Sequence, residues 1–415
     1  RCELWLNFFL HHYIDLINEH NNLFKINNSK FIKIIFLICC CLLVSGCWDQ
    51  VELEQLAMVI GVGIDYEPET KEIKLVTEIM KPGQMKSPGP STSVTGSEDS
   101  EGAVFLLESK GRTVFEAVRE LARENSRRTK WTHSEVIILG KSVVEKGASN
   151  FLDYFIRDPE PRPLQWILVA ETESKTVFEA KPELESAVAM AVDGLLENAK
   201  LTSKVQPVDL IQFISYLISK TTSPTAPIIT ASNEGDNKKL ELSGTAVFKK
   251  DKMVGRLNLV ETRGMLWVTG KVKSGVIVID LGDEQWNCLK IIRAKSSFKP
   301  RLKDGELEVE VNVNLITTLG GQISDVDMST SEGLKILEKL AAKEINKEVM
   351  GAVKKAQSLR TDIFGFGEAF HRKYPKRWAK LEPDWEQLFP KIKVKVRSNV
   401  IVELVGKTTK PLGTL

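Results

Sequence analysis

Apolar residues follow several distinct rhythms along the chain. The first is an unbroken apolar run over residues 34–44, preceded by Lys30 and Lys33. It falls well short of the roughly 20 residues a spanning helix needs. Short apolar stretches at 56–65, 73–79, 135–139 and 165–170 read as strands, two of them separated by a helix ending near Arg157. Val114, Phe115, Val118, Leu121 and Ala122 recur at helical spacing. Strands alternating with helices predict an α/β domain over about 48–200. Residues 81–102, rich in Pro, Gly, Ser and Thr, read as a loop.

The second half changes character. A helical patch at 208–218 leads into a Ser/Thr/Pro-rich stretch, 221–236, which reads as a link between domains. Residues 245–248 and 253–257 flank a polar turn and predict a hairpin. Leu307, Val309, Val311, Val313 and Leu315 share one face of a strand. Leu334, Leu337, Ala341, Ile345, Val349 and Val353 mark a long helix, with Ser329 or Ser331 as its expected N-cap. Residues 392–396 alternate again as a strand. The predicted fold class is therefore α/β and α+β, multidomain, with an N-terminal α/β domain at 47–225 and a C-terminal α+β domain at 236–405.

The leader carries the most specific chemistry. Basic residues, an apolar run and small residues before a cut site describe a secretory signal. Val44, Ser45, Gly46 and Cys47 resemble a bacterial lipobox. In that motif the cysteine sulfur is alkylated by a diacylglyceryl group, and small preceding residues let the peptidase hold an extended backbone. Cleavage would fall after Gly46 and leave a lipidated Cys47. An ordinary signal peptide or an uncleaved anchor fits the same segment. Residue 1 is Arg and the first methionine is Met58. The expectation is that translation starts at Leu23, that 1–22 is untranslated, and that 1–46 is leader. Only Cys47 and Cys288 then remain, and with Cys47 taken by lipid no intramolecular disulfide is expected. Cys288 reads as a small core hydrophobe.

Composition narrows the function. The 415 residues are 42% hydrophobic and 27% charged, ordinary globular values, with a net charge of only +2. That balance gives no reason to expect nucleic acid. Gly61-Val62-Gly63 lacks the third glycine of a dinucleotide turn, Tyr66 standing in its place, and reads as a structural turn. Gly140-Lys141-Ser142 follows a strand and precedes a helix, but Glu135 occupies the first glycine position of a phosphate loop. Gly406-Lys407-Thr408 fails likewise at Ile401. No nucleotide is expected. Ser296 and Lys299 have Ser-x-x-Lys spacing without its companion motifs. His133 and His371 stand apart from other ligand-type residues. Asp325 and Asp327 could hold a cation, but read better as loop carboxylates before the long helix. No catalytic residue, metal or cofactor is expected, and the chain reads as a non-enzyme.

One further signature lies near the C-terminus: Asp362-Ile363-Phe364-Gly365-Phe366-Gly367, then Arg372, Tyr374-Pro375, Trp378, Trp385 and Phe389. Gly244-Thr245-Ala246-Val247-Phe248 and Val254-Gly255 precede it. At the other end, Cys47-Trp48-Asp49-Gln50-Val51-Glu52-Leu53 is followed by Gly61-Val62-Gly63-Ile64-Asp65. Together these motifs resemble the Ger(x)C family, lipoprotein C subunits of spore nutrient germinant receptors, over about 47–405. The resemblance implies two to three packed mixed α/β domains behind a lipoprotein signal peptide. It also implies a place on the outer face of the spore inner membrane, beside polytopic A and B subunits, with nutrient binding attributed to B. Phe364, Phe366, Trp378 and Trp385 are read either as a mini-core on the long helix or as a docking surface for a partner subunit. A lipid-anchored solute-binding protein of a transporter is the competing class.

Overall fold

The apolar runs of the N-terminal half pair side by side. The structure, a computed structural model, describes residues 31–33, 35–37, 55–80, 104–234, 237–323 and 326–404. Val44, Ser45, Gly46 and Cys47 lie outside the described residues, as do the 81–102 loop, Asp325 and Gly406-Lys407-Thr408. Of the first unit, Arg1–Leu53, residues 31–33 and 35–37 are helical. Among the described residues no helix is long and apolar enough to cross a membrane.

The following unit begins with β1 (Leu56–Glu67), β2 (Glu72–Met80) and β3 (Val104–Gly111), an antiparallel set. Helix α1 (Val114–Glu124) follows, capped by the Thr113 side chain. Then come β4 (Arg128–Lys130), β5 (Val136–Leu139), α2 (Lys141–Lys146), α3 (Ser149–Arg157) and β6 (Trp166–Ala170). Next are α4 (Ser174–Phe178), α5 (Val188–Thr202), α6 (Leu210–Leu217), β7 (Thr225–Glu234), β8 (Asn237–Lys249) and β9 (Lys252–Leu257). The strands form one sheet in the order β3-β2-β1-β5-β6-β7-β8-β9, with β4 also on β1. β1, β5, β6 and β7 run parallel. One face of the sheet buries Val62, Ile64, Ile137 and Leu139 with residues of α1, α2 and α3. The other buries Ile138 and Leu168 with residues of α4 and α5.

Two stretches of this sheet depart from what their composition suggests. Residues 225–234 are not a link but strand β7, pairing with both β6 and β8. Ala226, Ile228 and Ile229 are buried, and Pro227 precedes the pairing with β6, where its missing N–H costs no ladder bond. The sheet thus runs through the stretch where the sequence suggests a division. Gly61-Val62-Gly63 lies mid-strand, within the strand the apolar stretch 56–65 predicts, and is no turn. A Cβ on Gly61 would stand 2.8 Å from the Phe178 ring, and one on Gly63 would stand 2.4 Å from Ser174 Oγ. The glycines let α4 and α5 lie directly on the sheet.

A buried acid fastens α5 to that sheet. The helix has no capping side chain of its own at Ala187. Glu78 of β2 instead accepts from the amides of Val188 (2.7 Å) and Ala189 (2.8 Å). Burial pushes its carboxyl from the usual 4.5 up to about 7, against the pull of those two amides. The folded protein therefore holds this proton more tightly than the unfolded chain. The resulting stability is full below pH 4.5 and is lost as pH rises towards 7. Glu78→Gln should remove about 3 kcal/mol of that pH dependence, read as the difference in urea unfolding between the two ends of the window. An unchanged slope would exclude Glu78 as its source.

The second half builds another layer. Helix α7 (Leu259–Thr269) carries a capping box formed by Asn258 and Glu261. β10 (Val276–Gly282), β11 (Gln285–Lys303), β12 (Glu306–Ile323) and β13 (Lys393–Leu404) form a second sheet in that order, with β13 parallel to β12. The 29-residue α8 (Ser331–Leu359) lays Leu337, Ala341, Ile345, Val349 and Val353 against it, as the spacing predicts. Its N-cap is Thr330, not either serine: the Thr330 side chain accepts from Gly333 N, while Ser329 is bonded to Asp327. Helices α9 (Phe366–Lys373), α10 (Pro375–Leu381) and α11 (Trp385–Leu388) lead back to β13. The mixed α/β class expected from the sequence is the class observed.

Helices α7 and α8 cross in close contact. A Cβ on Gly264 would stand 2.1 Å from Glu348 O. Beside that crossing Arg263 grips Glu348 in a bidentate pair, and its guanidinium also donates to Val276 O. Trp267 Nε1 donates to the same carboxylate at 2.8 Å. Both charged side chains are buried. The far face of the second sheet is polar, with Glu310 paired to Arg301 and Arg397, and Glu308 to Lys395. Cys288 is only half-buried and pairs with exposed Val278, so it is not a core residue.

Candidate functional site

The C-terminal signature folds into a knot around one carboxylate. α8 ends with Arg360 in the left-handed region, and the chain turns through Asp362. Asp362 Oδ1 accepts from the amides of Phe364 (3.1 Å), Gly365 (2.9 Å) and Phe366 (3.1 Å). Its Oδ2 accepts from Gly367 N (2.7 Å) and Trp385 Nε1 (3.3 Å). Gly365, with φ +79°, supplies the left-handed residue that turns successive amides onto one acceptor. Burial pushes the Asp362 carboxyl up to about 6, the four amides opposing it.

The aromatic residues pack around this centre. Phe364 stacks on Phe366 at 5.0 Å, Trp378 meets Trp385 edge-on at 5.1 Å, and Phe389 lies between the two groups. All four candidate residues are buried: Phe366 completely, Phe364 and Trp385 at 5% exposure, Trp378 at 3%. They share one hydrophobic cluster with α8 and the second sheet. None offers a free surface, so the geometry is that of a mini-core. Large rings in contact at these spacings contribute beyond their buried area.

The knot also joins the two halves of the unit. Ser223 N donates to Asp362 O at 2.8 Å. A Cβ on Gly367 would stand 2.7 Å from Thr221 Cβ, so that glycine admits the strand-entry segment before β7. Lys220–Glu382 and Lys249–Glu386 ion pairs flank the contact. Thr221 and Thr222, read from sequence as part of a linker, are in fact the surface on which the signature closes.

The remaining candidates are dispersed. The Cβ position of Gly140 is filled by the Asp65 carboxylate, and Ser142 Oγ accepts from Tyr66 N. The polar groups of that loop are engaged within the fold. Asp65 itself accepts from Ser174 N and Oγ, seating α4 at the end of β1. Ser296 and Lys299 lie on one strand at a spacing that turns them to opposite faces. His133 is exposed, and His371 stacks on Trp378 at 5.7 Å. Among the described residues no group of three or more His, Cys, Asp or Glu is placed to hold a metal.

Residues 49–231 match the family described as spore germination protein N-terminal domain, and residues 243–406 the one described as spore germination B3/GerAC like, C-terminal. The chain belongs to the GerAC family of spore germination proteins. Relatives from Bacillus subtilis (strain 168) include the putative spore germination protein YfkR, 23% identical over 92% of this chain and 98% of its own length. Spore germination protein KC is 24% identical over 92% of this chain and 98% of its length. Spore germination protein A3 is 26% identical over 90% and 98%. The crystal structure of the GerBC protein shares the fold, with a TM-score of 0.53 at 19% identity, over 85% of this chain and 99% of that one. The Asp362 knot lies inside the C-terminal GerAC segment, and Glu78 inside the N-terminal one.

Proposed function

We propose that this GerAC-family chain is a lipid-anchored, non-catalytic subunit of a spore nutrient germinant receptor. It is held by a diacylglyceryl group on Cys47 at the outer face of the spore inner membrane, beside polytopic A and B subunits. There it serves assembly or signalling of the complex that triggers germination. The observation that carries the reading is the pair of germination-family segments, which together span nearly all of the chain beyond the leader. Two acyl chains on one cysteine suffice for stable anchoring, at about 0.8 kcal/mol per buried CH₂. The Asp362 knot suits a transmitting part, because it fastens residues 221–223, the entry to β7, to the C-terminal helices.

Mass spectrometry of spore inner membrane and vegetative membrane tests this. The expected result is a chain confined to the spore inner membrane, with an acylated peptide beginning at Cys47. Abundance in vegetative membrane would overturn it and favour the solute-binding class.

A further inference from the structure

We propose that the cleft beyond the carboxyl end of β1, bordered by the β1–β2 turn, the start of α1, the α2–α3 junction and the β8–β9 turn, binds a small molecule carrying two or more negative charges, a polycarboxylate or a phosphorylated compound. The cleft has a volume of about 840 Å³, in the range of small-molecule sites.

Its lining is positive. Lys71 from the β1–β2 turn, Arg112 before α1, Lys146 at the end of α2 and Lys252 at the start of β9 all border it. Among the described residues, none of these four side chains forms an ion pair. Their neighbours Lys74 and Lys110 are by contrast both paired with Glu67. Two carboxylates share the lining: Asp153, already held by Arg157 at 2.7 Å, and Asp251. A surplus of unpaired cations in one concavity focuses potential on an anion. In a chain whose net charge is +2 this is a local concentration rather than a general excess.

The walls are already set. Tyr66 N donates to Ser142 Oγ at 2.9 Å, Ala148 N to Asp251 O at 2.8 Å, and Lys71 N to Glu67 O at 2.9 Å. The Lys146 ammonium sits 4.0 Å from the centre of the Tyr66 ring, a cation–π contact that holds it over the cleft. A ligand would therefore meet one cation, Lys146, already placed. Lysine ammonium groups and one arginine fork suit carboxylate and phosphate oxygens alike.

Calorimetric titration of the full chain in detergent with citrate, and separately with pyrophosphate, tests the site. Saturable one-site binding that weakens with added salt is expected for at least one anion, and the tighter of the two identifies the class. Arg112→Met with Lys146→Met should weaken binding about tenfold or more, with the circular dichroism spectrum unchanged. Lys252→Met alone should give a smaller loss in the same direction. Lys295→Met with Lys299→Met, on the far face of the second sheet, should leave affinity intact. Absence of binding at millimolar anion would overturn the proposal. So would equal losses in the two double variants, which mark diffuse attraction, or wild-type affinity in the folded cleft variants.

Discussion

Replacing Glu348 with alanine is expected to destabilise the fold by about 3–5 kcal/mol, because it leaves the Arg263 guanidinium buried without its counter-charge. The same change strands Trp267 Nε1. Urea unfolding reads the loss as a lower midpoint at similar slope. The cost comes from the orphaned partner rather than from the attraction itself. Replacing both members with apolar residues, Arg263→Met with Glu348→Leu, should therefore recover much of it. A single variant as stable as wild type would show that water reaches Arg263 at the α7–α8 crossing. A double variant no better than the single would show that the pair is needed for its geometry.

Asp362→Ala should be of comparable size, at least about 3 kcal/mol, since it removes the acceptor for four amides and one indole in a site closed to water. Asp362→Asn should cost less. It keeps one oxygen for the Phe364–Gly365–Phe366 amides but turns an NH₂ towards Gly367 N. Because the knot also seats Ser223, the alanine variant should expose α9 and α10, where Arg372, Lys376 and Arg377 supply trypsin sites. Faster cleavage there under native conditions, with a lowered urea midpoint, is the expected pair of results. Unchanged cleavage would place the holding energy in the aromatic packing alone.

How much of this was legible depended on whether a pattern was local. The long helix and the β12 strand face follow from spacing because each buries one stripe against a single layer. Strand β7 is hidden in the sequence because its Ser, Thr and Pro content describes a loop, while the partners that make it a strand, β6 and β8, are set by topology. The apolar stretch around the glycines of β1 marks the strand, but nothing in their own neighbourhood shows that Phe178 and Ser174 press on them. The Asp362 signature was visible as a cluster of rings and glycines. Its purpose was not, since one carboxylate gathering five donors is a fact of the folded chain. The Arg263–Glu348 pair does leave a signal in the sequence: Arg263 stands directly before the run Gly264-Met265-Leu266-Trp267-Val268, and a charge beside such a run asks for a buried partner.

The passage of the first sheet through β8 and β9 bears on how the chain comes to be folded at all. Residues up to about 231 match one family segment, yet the strands that cover the open side of β7 arrive only at 237–257. A nascent or truncated chain ending near 231 would present β7 as a bare edge, the kind of template on which strands of other molecules assemble. Closure of the N-terminal half therefore waits for the start of the C-terminal one. Synthesis and folding of the first sheet are thereby bound together across the boundary between the two family segments.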